Sequence, residues 1–140
     1  MAKSDLPHLK QKQKLLYAED PEPAALIALG QRYLEAGWFN DAIDFWQRAE
    51  HREGLQQLQM TAVEQGDAFL FNRCLHALDE EAPESAWQEL AQRALDLGKL
   101  QFAREGYRMS GDRKGMERVE QQMQPTATPA AETAEEESAG

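Results

Sequence analysis

Groups able to do chemistry are few and scattered in this chain. Its three histidines, His8, His51 and His76, and its one cysteine, Cys74, fall into no metal-ligand or nucleophile–base spacing. Cys74 and His76 stand two residues apart on one expected helix, so they point to different faces. Cys74 lies on a partly apolar stretch and is expected to be a small core residue. No HExxH, paired-cysteine, phosphate-loop or dinucleotide pattern occurs. Carboxylates are abundant, 25 against 15 Lys and Arg, so pairs such as Asp41 with Asp44 or Glu80 with Glu81 are expected from that excess and from capping helix ends. No nucleophile has a base beside it. The expectation is a protein that is not an enzyme and has no cofactor and no metal site.

A different pattern recurs. Three stretches of helical periodicity end in an aliphatic residue followed by an acid: Leu34-Glu35, Val63-Glu64 and Leu95-Asp96. An acid in the last helical turn opposes the helix dipole by about 0.3–1 kcal/mol. Three recurrences of that penalty point either to a use or to descent from one ancestral unit.

Charge and composition narrow the partner class. A formal net charge of −10 argues against a general nucleic-acid binder, which needs clustered Lys and Arg to neutralise phosphates. The charge is uneven: residues 1–18 carry Lys3, Lys10, Lys12 and Lys14 against Asp5 alone, while acids dominate the remainder. A single cysteine excludes an internal disulfide and fits a reducing compartment. No N-terminal apolar stretch resembles a signal peptide, and the longest apolar run, Ala24 to Leu29, is too short for a bilayer. A soluble cytoplasmic protein without membrane insertion is expected.

The elements that position these residues read as helices throughout. Residues 4–17 form an expected helix, with Ser4 as a possible cap and a thin stripe of Leu6, Leu9 and Leu16. It is read as a capping helix on the first hairpin, or as a basic arm that docks on an acidic surface of this chain or of a partner. Glu19-Asp20-Pro21-Glu22-Pro23 breaks it and opens the next helix. Leu26, Leu29, Tyr33 and Leu34 then follow helical spacing to Gly37, which ends the helix, and Ala42, Ile43, Trp46 and Ala49 form the returning face. A weaker pair follows around Gly66-Asp67, a clear third pair around Gly98, and a last short helix with Met116, Val119 and Met123. No segment alternates with a period of two. Three divisions result: a basic N-terminal helix or arm over 1–18, a helical repeat domain over 20–124, and an acidic tail over 125–140 that is expected to be disordered.

The third hairpin repeats the first at a distance of sixty-one residues. Leu90, Gln92, Arg93, Leu95, Gly98, Ala103 and Gly115 answer Leu29, Gln31, Arg32, Leu34, Gly37, Ala42 and Gly54. The pattern resembles the tetratricopeptide repeat. Leu26, Leu29, Gly30, Tyr33, Gly37, Ala42, Trp46 and Ala49 occupy its positions in register, as do Trp87, Leu90, Ala91, Ala94, Gly98, Ala103, Tyr107 and Ser110. In the middle copy Leu55, Leu58, Ala62, Gly66, Leu75 and Leu78 fit, but Phe71 stands where an alanine belongs. The family's closing proline is absent and the repeats are short, which is also similar to the helical arrays of vesicle-coat and intraflagellar-transport subunits.

The resemblance implies an all-α fold: an α-solenoid of three antiparallel helical hairpins with an N-terminal helix and a short C-terminal capping helix. It also implies a face lined by the first helix of each pair. That face would present Ile27, Gln31, Leu34 and Glu35, then Gln56, Met60, Val63 and Glu64, then Gln88, Gln92, Leu95 and Asp96. Trp38, beside the turn glycine, is either an exposed binding anchor or packed against the N-terminal helix and Phe39. The implied function is non-catalytic protein binding, as an adaptor, scaffold or assembly factor, with an apolar segment flanked by basic residues as ligand. The alternative is a structural subunit of a larger or self-associating helical assembly.

Overall fold

The computed structural model describes residues 6–124, and within them every regular element is helical. In order they are α1 (Leu9–Leu16), α2 (Pro23–Glu35), α3 (Phe39–Arg48), α4 (Arg52–Glu64), α5 (Ala68–Leu78), α6 (Glu84–Asp96), α7 (Leu100–Ser110) and α8 (Arg113–Met123). The all-α expectation is met. The expected cap at Ser4 and the expected disorder over 125–140 lie outside the described residues. Two compact units emerge, one containing the described chain up to Ala62 with Phe69–Ala82, the other Val63–Ala68 with the chain from Pro83 onward.

In the first unit α2 and α3 pack as a hairpin. The turn is a Schellman motif: the Gly37 N–H donates to Leu34 O at 2.9 Å and the Trp38 N–H to Tyr33 O at 2.9 Å, with Gly37 at φ +83°. In the second unit α6 and α7 pack the same way, with Gly98 at φ +76° and the matching bonds Gly98 to Leu95 and Lys99 to Ala94 at 3.1 and 2.8 Å. The sixty-one-residue correspondence therefore extends to individual backbone bonds.

It extends to the next break as well. α7 ends on Gly111 at φ +76°, whose N–H reaches Arg108 O while the Asp112 N–H reaches Tyr107 O. α3 ends with the same two bonds, Glu50 to Gln47 and His51 to Trp46, but its left-handed residue is Glu50 at φ +55°. Asp79 closes α5 in the same manner at φ +55°. A side chain in that conformation costs about 1–2 kcal/mol, so both ends are held by what surrounds them.

Basic side chains supply part of that hold. Arg48 donates to Leu16 O at 2.7 Å and Ala18 O at 3.1 Å, satisfying carbonyls at the end of α1. Arg52 donates to Leu78 O at 3.3 Å and pairs with Glu80, binding the start of α4 to the end of α5. In the second unit Arg93 donates to Glu64 O at 2.9 Å and Lys99 to Gln65 O at 2.7 Å. Each cation faces the negative end of a helix dipole while satisfying an otherwise unpaired carbonyl.

The closest packing sets a large aromatic over a glycine. Trp46 is buried, and its Nε1 donates to Ile27 O at 3.1 Å. A Cβ at Gly30 would fall inside the indole, and one at Gly54 would lie 2.9 Å from Trp46 Cε3. Tyr107, the counterpart of Trp46, lies over Gly115 of α8, where a Cβ would sit 2.5 Å from its ring. Gly54 and Gly115 are thus the points where the next helix meets the aromatic of the last. α8 is capped by Asp112, which accepts from the Gly115 N–H at 2.9 Å, and buries Val119 against Ala91, Ala94, Ala103 and Tyr107, with Met116 and Met123 beside it. The stripe read from the sequence packs against α6 and α7.

The expected core residues Leu26, Tyr33, Ala42, Trp46, Leu58, Phe71, Leu75, Leu90, Ala94, Ala103 and Tyr107 are buried, as is Cys74, while Leu29 and Ala49 are half-buried. One reading needs correction. Leu6 and Leu16 are buried but Leu9 is 69% exposed, because α1 begins only at Leu9 and Leu6 reaches the core from the extended segment before it. Replacing Trp46 with alanine removes the indole from between two glycines that cannot fill its space. A loss of about 3–5 kcal/mol is expected in denaturant unfolding. A loss below about 1 kcal/mol would show that the indole does not join these helices.

Candidate interaction surface

The three acids singled out by the sequence are each the last residue of their helix: Glu35 in α2, Glu64 in α4 and Asp96 in α6. All three are exposed. In two of them a glutamine one turn earlier donates to the carboxylate, Gln31 to Glu35 at 3.4 Å and Gln92 to Asp96 at 3.0 Å. Those amides engage the carboxylates without neutralising them. In α4 the corresponding position is Met60, which is 65% exposed, and the carbonyl of Glu64 is taken by Arg93.

The aliphatic partners of these acids are part of the architecture. Leu34 is half-buried on the cluster of Leu6, Leu16, Leu26, Tyr33, Ala42 and Phe45. Leu95 is half-buried on the cluster containing Ala91, Ala94 and Tyr107. Ile27 and Val63 are likewise half-buried. In the first unit the structure places Ile27, Gln31, Leu34 and Glu35 along one stripe of α2, and in the second Gln92, Leu95 and Asp96 along one stripe of α6. Trp38 is the residue before α3; its ring lies 5.9 Å from that of Tyr33, and 38% of it stays exposed. It is both packed and accessible.

The remaining chemical groups are dispersed. His8 precedes α1 and is exposed, His76 is exposed on α5, and His51 stands edge-on to Trp46 at 5.4 Å. Among the described residues no group of three or more His, Cys, Asp and Glu is placed to hold a metal ion, and no helix is long and apolar enough to cross a membrane.

Sequence reasoning missed the strongest charged cluster. Asp41 and Asp44 lie one turn apart on α3 and together receive Lys12 of α1, whose Nζ is 2.9 Å from Asp44 Oδ2 and closer still to Asp41 Oδ1. Arg73 of α5 completes the group, at 3.1 Å from Asp44 and 3.3 Å from Asn40. The basic arm thus docks on an acidic surface of its own chain, one of the two readings open from sequence. The signal was available: the counterparts of Asp41 and Tyr33 in the second copy are Phe102 and Ala94, so the acid and the aromatic are peculiar to the hairpin that carries the arm.

The titration of Lys12 reflects this setting. Burial works against its ammonium, but hydrogen bonds and charge from Asp41 and Asp44 outweigh that, and its pKa is raised above 10.5. In the second unit, Asp112 is held below its ordinary value by the Gln88 amide and the Gly115 N–H. Burial raises Tyr33 and Tyr107.

No protein-family model, curated protein or solved structure matches this chain. The functional reading therefore rests on the chain's own geometry.

A group whose pKa is raised on folding stabilises the fold fully below its unfolded value and loses that contribution as pH rises through the folded value. Lys12→Met is accordingly expected to lower stability by about 0.5–1 kcal/mol near neutral pH. The gap from wild type should close as pH climbs past 10.5. Paired thermal melts across that range measure it; a gap that is absent at neutral pH, or constant across the range, contradicts the assignment.

Proposed function

We propose that this chain is a non-catalytic protein-interaction module, an adaptor, scaffold or assembly factor, built as a short α-solenoid of helical hairpins. Its ligand is an apolar protein segment with Lys or Arg beside it. A cytoplasmic address belongs to the same proposal.

One observation carries this reading. In two hairpins of matching construction, the first helix ends on an exposed carboxylate held by a glutamine one turn earlier and flanked by a half-buried leucine. The negative end of a helix dipole and a fixed carboxylate add at that point, which favours a cation arriving from outside. The neighbouring leucine supplies apolar surface for the segment carrying that cation. The packing rests on Leu34 and Leu95, whereas Glu35 and Asp96 are exposed and each accept from a glutamine of their own helix.

A second reading, a structural subunit of a larger or self-associating assembly, draws on Phe69 and Met60, which are 63% and 65% exposed. Apolar side chains that open to water suit a contact between subunits. Light scattering over a range of concentrations separates the two, since self-assembly requires a mass that grows with concentration.

The interaction reading is tested by panning a random peptide library on the wild-type chain and on a chain carrying Glu35→Lys, Glu64→Lys and Asp96→Lys. Wild type should enrich apolar sequences flanked by Lys or Arg, and the variant, at unchanged helical content, should lose them by tenfold or more in affinity, about 1.4 kcal/mol. Enrichment without basic residues, or equal binding by both chains, would contradict it.

A further inference from the structure

We propose that the face of α2 and α3 covered by α1 is a second docking site, specific for a basic amphipathic helix, and that α1 is a built-in occupant which a partner's helix of the same chemistry displaces. The proposal extends the interaction reading to a different surface of the first unit from the one marked by Glu35.

The first support is how α1 is held. It is eight residues long, and an isolated helix shorter than about 12–15 residues is marginal in water; α1 is helical because it is docked. Its hold consists of Leu16 and the preceding Leu6 in the aromatic cluster, Lys12 on Asp41 and Asp44, and Arg48 on the carbonyls of Leu16 and Ala18. The Tyr33 hydroxyl adds a bond to Pro7 O at 3.4 Å. The rest of α1 faces water: Leu9 and Leu15 are 69% and 36% exposed, and the adjoining Tyr17 76%. An apolar, basic segment seated on an acidic rim is the ligand chemistry, supplied in cis, with its own leucines imperfectly used.

The second support is what differs between the two hairpins. Common to both are the turn glycines, Gly37 and Gly98, and the contact of an aromatic with the glycine of the next helix, Trp46 with Gly54 and Tyr107 with Gly115. Those that receive α1 are not common: Tyr33, Asp41 and Phe45 become Ala94, Phe102 and Gly106. Tyr33 and Phe45 stack at 5.3 Å to form the apolar floor under Leu6 and Leu16. Asp44 has an acidic counterpart, Glu105, but that carboxylate is engaged by Arg108 on its own helix. At the place of Arg108 the first hairpin has Gln47, so Asp44 is turned to Lys12 and Arg73.

The third support is room. Lys12 is level with Asp41 and Asp44 and the Leu16 carbonyl is level with Arg48, so α1 runs in the same direction as α3. Where α1 stops, a cleft of about 530 Å³ continues beside α3, lined by Leu16, Tyr17, Asp44, Gln47, Arg48 and Glu50. A helix that replaces α1 and runs one or two turns further would extend along Gln47, Arg48 and Glu50, polar side chains that line the cleft beyond α1.

The test is a fluorescence-anisotropy titration of the full chain with a labelled peptide of residues 6–18. Lys12→Ala in the full chain cuts the ion pairs of the resident arm and raises the fraction of open sites, so the peptide should bind it about two- to fivefold more tightly than it binds wild type. Asp41→Asn with Asp44→Asn should abolish binding, as should a peptide carrying Lys12→Glu. Equal affinity for wild type and Lys12→Ala overturns the proposal. So does loss of helical signal in Lys12→Ala, since an exchangeable arm can be loosened without unfolding what it covers. A concentration-dependent dimer that excludes the peptide would assign the site to α1 of a second copy and overturn the partner form. Because the peptide reads Asp41 and Asp44 alone, its failure leaves the library result on Glu35, Glu64 and Asp96 standing, and the reverse.

Discussion

The fold depends on a large aromatic lying directly on a glycine. The Trp46 indole sits where a side chain at Gly30 would be, bonds the Ile27 carbonyl and also touches Gly54. One residue therefore joins its own helix to the one before it and the one after. Close approach of backbones gains dispersion contacts that wider packing forfeits, and it tolerates almost no change of volume on either side. Tyr107 on Gly115 repeats the contact with the following helix. Turn, cap and register follow from it, because a helix entering such a contact has few ways to arrive.

From that shared clasp the two hairpins diverge in one respect. The first fills the space beside it with stacked Tyr33 and Phe45, and the N-terminal segment packs there. The second has alanine and glycine at those positions, and the backbone of the turn at Gly66 comes down on Ala94 instead. Arg93 and Lys99 fix that turn through the carbonyls of Glu64 and Gln65. Equivalent positions thus accept a helix in one case and a turn in the other, and the residue sizes decide which.

Much of this was legible in sequence, and the parts that were not have physical causes. Gly37, Gly66 and Gly98 announced left-handed turns, and all three adopt positive φ. Glu50 and Asp79 adopt the same conformation without a glycine to announce it, because the Schellman bonds and the surrounding packing impose it. Gly30 and Gly54 were recognisable as positions of the repeated pattern, but not that the Trp46 ring would lie against both. The docking of Lys12 joins residues 29 and 32 positions apart, beyond what periodicity within one helix can reveal. Comparing the two copies position by position would have marked Asp41 and Tyr33 as departures from the shared unit. The terminal acids Glu35, Glu64 and Asp96 were read correctly as helix ends; the amides of Gln31 and Gln92 that hold two of them were visible only in three dimensions.

The first hairpin divides into a rigid clasp and an arm that can leave it, and residue-resolved amide hydrogen exchange measures that division directly. Amides of α1, including Lys12 and Tyr17 bonded to His8 and Gln13 carbonyls, should exchange by local opening. Amides around Ala42 to Trp46, and the Trp46 indole N–H, should exchange only on unfolding of the unit, more slowly by about a hundredfold or more. Protection of α1 equal to that of α3 would make the arm an inseparable part of the fold and contradict the account.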